Sequence, residues 1–216
     1  MVCPLRRPRK IPPEQKQNND RKERFKKRIK RLFELNKKLK KRVIMFFDGA
    51  FFHLESTIKR VWRKKGSAPC VQSSASKDKI GILGSVNVEK GEIPDVVFKG
   101  NFDSDVFIAY LELLIKEKFD GIKILLILDN ASPHKSKKTK KWLKENKDKI
   151  KLLYLPPYSP QLNPKEIIWK DIREKKTHNT CFGNISGLKK SLDSYIIQYS
   201  TPNEYIKSKC KFKYVA

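Results

Sequence analysis

The sequence has no apolar run approaching the roughly 20 residues that a membrane-spanning helix needs. Its opening, MVCPLRRPRKIPP, is basic but lacks the apolar stretch of a secretory signal. Cysteine is sparse: Cys3, Cys70, Cys181 and Cys210 lie far apart, and no two have CxxC spacing. Neither a zinc site nor a disulfide framework is suggested, and a reducing cytosol suits the chain best. No segment repeats. Acids are also few, 23 against 50 Lys+Arg.

What remains is a chain of 216 residues, 38% hydrophobic, enough for one domain with a core and an appendage. A formal charge of +27 attracts polyanions and favours contact with phosphates through counterion release. Nucleic acid is therefore the first partner to consider. An anionic membrane surface is a poor alternative, because the basic helix lacks the large aromatic face expected there. Lysine enrichment is also a mark of genome composition or thermal adaptation.

The charge is uneven. Residues 1–42 hold 18 Lys/Arg and 4 Asp/Glu, about half of the net charge in about a fifth of the chain. The part through Asn19 reads as extended. From Asp20 a helix is expected, with Phe25, Ile29, Leu32, Phe33 and Leu39 as its apolar stripe. Such a helix either docks on the main domain or grips a DNA backbone, and the two roles are compatible.

From Arg42 the pattern changes. RVIMFFDG reads as a buried strand ending at Asp48, STIKRVWRK as a second strand of poor alternation, KIGILGSVNVEKGEI as a third with a Gly turn, and DVVFKG as a short or edge strand. Asp103 or Ser104 caps a helix carrying Val106, Phe107, Tyr110, Leu111 and Leu114 on one face. GIKILLILDN is the clearest buried strand and ends at Asp129. A basic helix with Trp142 and Leu143 follows, then the strand KIKLLYL, a loop with four prolines, and a helix opening at Pro164. A last helix runs from Ser186, with Leu188, Leu192, Tyr195, Ile196 and Tyr199 on one face. The order implies an α/β fold, a mixed sheet with helices on its faces.

Two acids, Asp48 and Asp129, sit at the C-terminal ends of apolar runs, where open α/β sheets bind ligands. Glu166 lies 37 positions after Asp129, in the first turn of a helix, behind prolines 156, 157, 160 and 164. Those prolines restrict the loop and deliver Glu166 to a fixed place. Three converging carboxylates need protons or cations, and hard oxygen ligands suit Mg²⁺ or Mn²⁺. In so basic a chain, such a cluster points to phosphodiester chemistry with two metal ions. Taken singly, a strand-end Asp is more often a turn former or helix cap than a ligand.

The segments VIMFFDGAFFHL, ILLILDNASPHKS and LPPYSPQLNPKEIIW, with STIKRVWRKKGSAP between them, together resemble the catalytic domain of mariner-like transposases, in the prokaryotic insertion-sequence branch. The resemblance covers roughly residues 42–199. It implies a ribonuclease-H-like fold and a DDE triad of Asp48, Asp129 and Glu166, holding two divalent ions, Mg²⁺ or Mn²⁺. It implies nicking at transposon ends and attack of the freed 3′-hydroxyl on target DNA, typically at TA. It also implies a homodimer on DNA, at the nucleoid in the cytoplasm, with no membrane role.

Asn130 and His134 match the same motif. His134 is read as contacting a phosphate, orienting an active-site group, or packing near the helix start. Lys135 and the lysines after it line a DNA groove or form a solvated face. Trp62 and Trp169 match family positions and are read as core or DNA-facing packing residues, with the core favoured. Two departures stand out. Gly49 follows the first Asp, where the family often has Glu. Before Arg42 there is too little chain for paired helix-turn-helix modules, and CPLRRPRKIPP reads as the linker that would follow such modules upstream. The expected organisation is a basic linker and amphipathic helix over 1–41, a catalytic domain over 42–200 and a tail over 201–216. The alternatives are a DNA-binding remnant without catalysis, and a ribonuclease-H-like nuclease that cuts without joining.

Overall fold

The computed structural model describes residues 14–62, 64–66, 70–72 and 76–210, with side chains from Asn19 onward. Five strands form one mixed sheet: β1 (Arg42–His53), β2 (Lys79–Val86), β3 (Asp95–Phe98), β4 (Lys123–Leu128) and β5 (Ile150–Tyr154). Their order is β3-β2-β1-β4-β5. The β1–β2 and β2–β3 pairs are antiparallel, while β1–β4 and β4–β5 are parallel. This is the ribonuclease-H-like arrangement that the resemblance implies. Cys3 and the linker-like segment before Glu14 lie outside the described residues.

Strand alternation divides the core in two. Ile44, Phe46, Ala50 and Phe52 of β1 face one layer; Val43, Met45 and Phe47 face the other. The first layer receives α1 (Glu14–Leu39), α5 (Lys165–Ile172), α6 (Ile185–Gln198) and α7 (Glu204–Lys209). The second receives α2 (Ser104–Leu113) and, through Trp142 and Leu143, α4 (Lys137–Glu145). Phe46 and Phe47 are both fully buried, on opposite faces, each contributing about 1.5–3 kcal/mol by burial.

Helix α1 starts earlier than Asp20 and docks through Phe25, Ile29 and Phe33, spaced by four residues. Leu32 packs beside them, but Leu39 is exposed. Arg21, Arg24, Lys27, Arg28, Lys30 and Arg31 point outward. At its end Lys40 adopts a left-handed conformation, φ 46°, and Asn36 bonds both the carbonyl and the N–H of Arg42. That reversal feeds the chain into β1.

Most of the expected elements form. Asp103 is the cap of α2, accepting from the N–H groups of Asp105 and Val106 at 2.9 Å each. The basic helix is divided in two, α3 (Ser132–Lys135) and α4, because Ser136 leaves the helix and caps α4 at the N–H of Thr139. Two expectations are corrected. STIKRVWRK is not a strand: Thr57 makes only an isolated bridge to His178, and Asn179 holds Lys59 through both its backbone groups. Trp62 is fully exposed rather than in the core, since its segment is too basic to bury a face. Residues 201–216, read as a tail, include α7, whose Ile206 is fully buried, as is Cys210 just beyond it.

Candidate active site

Asp48 lies within β1, not at its end. Pairing with β4 stops at Phe46↔Ile127, while pairing with β2 continues to His53. The sheet therefore forks at this point. Two residues beyond the last parallel pair, Asp48 on β1 and Asp129 after β4 flank the fork and line the same cavity. The carbonyl of Phe47, released from the ladder, accepts from Asn163 Nδ2 at 3.0 Å. Across the second fork, Asn130 Nδ2 donates to the carbonyl of Leu155 at 2.7 Å. Side-chain amides thus satisfy backbone groups that the diverging strands leave open.

The proline-rich loop closes over the fork. Ser159 Oγ bonds the carbonyl of Pro157, and a short 3₁₀ turn (Pro160–Leu162) leads to Asn163. Asn163 Oδ1 accepts from Lys165 N, and its carbonyl accepts from Glu166 N. One asparagine therefore ties the start of α5 to the strand next to Asp48. Glu166 lies in the first turn of that helix. Asp48, Asp129, Asn130, Asn163 and Glu166 line one open cavity of about 450 Å³ with loop residues 155–160. Exposed Tyr158, at φ 50°, stands on its rim.

The three acids differ in environment. Burial pushes the Asp48 carboxyl up to about 7, helped by the charge of Glu166 and opposed by the indole N–H of Trp169. Trp169 Nε1 donates to Asp48 Oδ2 at 3.0 Å, and Gly49 N donates to Oδ1 at 2.9 Å. Asp129 is held below its ordinary range, chiefly by a hydrogen bond from His134. His134 Nδ1 lies 2.9 Å from Asp129 Oδ1, and Ala131 N lies 3.1 Å from the same oxygen. Glu166 is half-buried. Among the described residues, no three His, Cys, Asp or Glu side chains close into a common ligand sphere. The donor set is nevertheless all oxygen, with a carboxyl raised by an adjacent carboxylate, which fits hard divalent cations.

His134 is buried among Phe47, Phe102 and Phe107, with ring centroids 5.4, 5.5 and 4.5 Å away. Among the described residues its buried Nε2 has no hydrogen-bond partner, at a cost of about 1–3 kcal/mol. The ring thus directs Nδ1 at the Asp129 carboxylate from within an apolar pocket. Lys135 is exposed, with Nζ 2.5 Å from Asn130 Oδ1. Lys137, Lys138, Lys140 and Lys141 are exposed on α4. Trp169 is buried as expected, but its contact with Asp48 was not legible from its residue type. Asn163 also escapes a reading based on acids; its signal is the Asn-Pro pair before the helix.

A family model described as DDE superfamily endonuclease matches residues 10–189. The insertion element IS630 uncharacterized 39 kDa protein of Shigella sonnei is 31% identical over 137 residues, covering 63% of this chain and 39% of that protein. The uncharacterized protein y4pE/y4sA of Sinorhizobium fredii (strain NBRC 101917 / NGR234) is 34% identical over 101 residues, covering 47% of this chain and 70% of that protein. Among solved structures, the Mos1 transposase paired-end complex with left transposon end superposes with a TM-score of 0.65 at 15% identity, covering 100% of this chain and 63% of that one. The catalytic domain of Mos1 mariner transposase gives 0.60 at 13% identity, covering 94% and 90%. The chain thus spans well under half of the IS630 protein and most of the Mos1 catalytic domain. The chain belongs to the DDE superfamily endonuclease family, with the fold of a mariner transposase catalytic domain.

Proposed function

We propose that this chain is the catalytic domain of a DNA transposase, cutting transposon ends and joining them to target DNA. The observation that carries the reading is the convergence of Asp48, Asp129 and Glu166, from three separate elements, on one open cavity of a strongly basic protein. Asp48, Asp129 and Glu166 would hold two Mg²⁺ or Mn²⁺ ions. When bound, such ions supply charge stabilisation at the attacking and leaving oxygens of a phosphodiester.

In the first reaction, water attacks a phosphorus at the transposon end and the bond to the 3′-oxygen breaks, leaving a 3′-hydroxyl and a 5′-phosphate. In the second, that 3′-hydroxyl attacks a target phosphorus and displaces the target's own 3′-oxygen. The chain's residues hold the reacting groups in place. Trp169 and Gly49 orient Asp48, His134 and Ala131 N orient Asp129, and Asn163 fixes the helix of Glu166. The exposed cations of α1 and α4 supply sequence-independent attraction to the DNA backbone.

This reading takes residues 42–200 as the catalytic unit and 1–41 as a basic arm, with α7 and Cys210 of the segment read as a tail adding to the core. Recognition of specific ends is assigned to upstream helix-turn-helix modules, and the working form to a homodimer on DNA at the nucleoid. Among the described residues no helix is long and apolar enough to cross a membrane. The experiment is cleavage and strand transfer on short DNA carrying candidate ends, with Mg²⁺ or Mn²⁺, beside Asp129→Asn. Joined products lost in the variant support the proposal. Cut but unjoined products would point instead to a simple nuclease. Salt-sensitive binding without cutting, even after fusion to end-binding modules, would point to a non-catalytic remnant.

A further inference from the structure

Next to Glu166 the chain places a lysine where a lysine is costly. Lys165 is fully buried. Its Nζ lies 2.5 and 2.6 Å from the two carboxylate oxygens of Asp95 on β3, whose side chain is also wholly buried. The same Nζ sits 4.3 Å from the centroid of the Trp169 ring, one helical turn further along α5. Trp169 in turn donates to Asp48.

The sheet register explains how these groups meet. Asp48 pairs with Gly84, and Gly84 pairs with Asp95, so the three residues form a row across β1, β2 and β3. Side chains in such a row share a face. Gly84 leaves the row empty in the middle, and the lysine occupies that space. A Cβ at Gly84 would lie 2.0 Å from Asp95 Oδ1 and 2.8 Å from Lys165 Nζ. Only glycine accommodates the pair.

We propose that the Lys165–Asp95 pair is a positioning device for the active site, fixing the first turn of α5 behind Glu166 and, through the Trp169 ring, the orientation of Asp48. A buried ion pair rarely adds stability over an apolar pair of similar volume, so stability alone does not account for it. Its directional bonds, however, hold α5 against β3 in one rotation and one register. The ring of Trp169 rests on the cation, and the indole N–H is thereby aimed at Asp48 Oδ2. Asp48 and Glu166, on different elements, are set by one buried charge.

The inference rests on the transposase reading for its consequence, but not for its geometry. The test uses the full chain labelled with ¹⁵N at its three tryptophans, with Trp169→Phe assigning the Trp169 indole signal. The variant is Asp95→Leu/Lys165→Met, which removes both charges together. The expected result is a cooperatively folded protein whose Trp169 indole resonance moves and whose indole proton exchanges at least about tenfold faster. The Mn²⁺ concentration for half-saturation, followed by its paramagnetic resonance signal, rises by about tenfold, the scale of effects from groups that support metal ligands. An unmoved, equally protected indole signal overturns the proposal. If the paired variant does not fold, Asp95→Asn carries the same indole readout. A wild-type chain that binds no Mn²⁺ defeats the transposase reading, while the indole measurement still decides the role of Lys165.

Discussion

The indole N–H of Trp169 donates to Asp48 Oδ2 at 3.0 Å, joining residues 121 positions apart in sequence. The bond links the helix of the third acid to the strand of the first. Trp169→Phe keeps a buried aromatic ring but removes the indole donor, with some volume and some of the ring face against Lys165. A hydrogen bond to a charged group is worth about 1.5–3 kcal/mol, so a modest loss of stability is expected in metal-free protein. Activity should need more Mn²⁺ for half-maximal rate, with the maximal rate less affected. Titrating metal at fixed DNA checks the split.

His134 separates orientation from packing in the same way. His134→Leu fills the aromatic pocket but leaves Asp129 without its side-chain donor. His134→Asn supplies an N–H near the position of Nδ1 in a smaller side chain. The asparagine variant is expected to be the less stable in a urea melt, because it leaves a gap beside Phe107. It should nevertheless retain more cleavage activity than the leucine variant. The reverse ranking of activity would assign His134 to packing alone.

The raised Asp48 carboxyl predicts a pH dependence of stability. In the folded metal-free chain it titrates at about 7, against 3.8 for an unperturbed aspartate. The folded state therefore holds this proton while the unfolded state has lost it. Stability falls as pH rises from about 4 to about 7, by no more than about 4 kcal/mol from this group, and then levels off. Asp48→Asn removes the term. With EDTA present, the variant should become increasingly more stable than the wild type across that range. Mn²⁺ should reverse the ranking, because the cation favours the carboxylate only the wild type has. Urea melts at several pH values, with and without Mn²⁺, measure both effects.

Asp171 behaves oppositely. Burial favours its protonated form, but Tyr205, Tyr195, Lys175 and Lys209 outweigh it and hold the carboxyl below its ordinary range. Tyr205 and Tyr195 donate at 2.6 and 2.8 Å, joining α5 to α7 and α6. This stabilisation is fully present above the ordinary carboxylate range and is lost as pH falls through the lowered folded value. Asp171→Asn should destabilise the chain by about 2–4 kcal/mol at neutral pH and flatten the acid limb of its stability curve. An unchanged acid limb would remove the cluster from the account.

Legibility followed the kind of force involved. KILLIL and the apolar part of β1 announce themselves because both sheet faces are covered, so neither strand needs polar alternation. The acids that follow those apolar runs were visible as part of a set of three, although each alone reads more often as a turn or cap residue. Beyond Gly49 the strand β1 continues only because β2 pairs with it, which no local pattern reports. Trp62 departs from its residue type: tryptophan favours burial, but its segment is interspersed with Lys59, Arg60, Lys64 and Lys65 and leaves Ile58 and Val61 exposed as well. Lys165 carries no signal of its burial, for the opposite reason. Lysine suggests the surface, and its partner Asp95 is 70 positions away. The aromatic pocket around His134 is built from Phe47, Phe102 and Phe107 of separate segments, so its burial has no local signal. Long-range pairing and polar burial are the parts that periodicity cannot carry.

The central claim is that Asp48, Asp129 and Glu166 act as one divalent-metal site. The most direct measurement is Mn²⁺ binding, by paramagnetic resonance, to the wild-type chain and to Asp48→Asn, Asp129→Asn and Glu166→Gln separately. The account predicts saturable binding by the wild type at near-neutral pH, weakened at least about tenfold by each substitution, with every variant still folded. Wild-type affinity in all three variants, or in any pair of them, would contradict it.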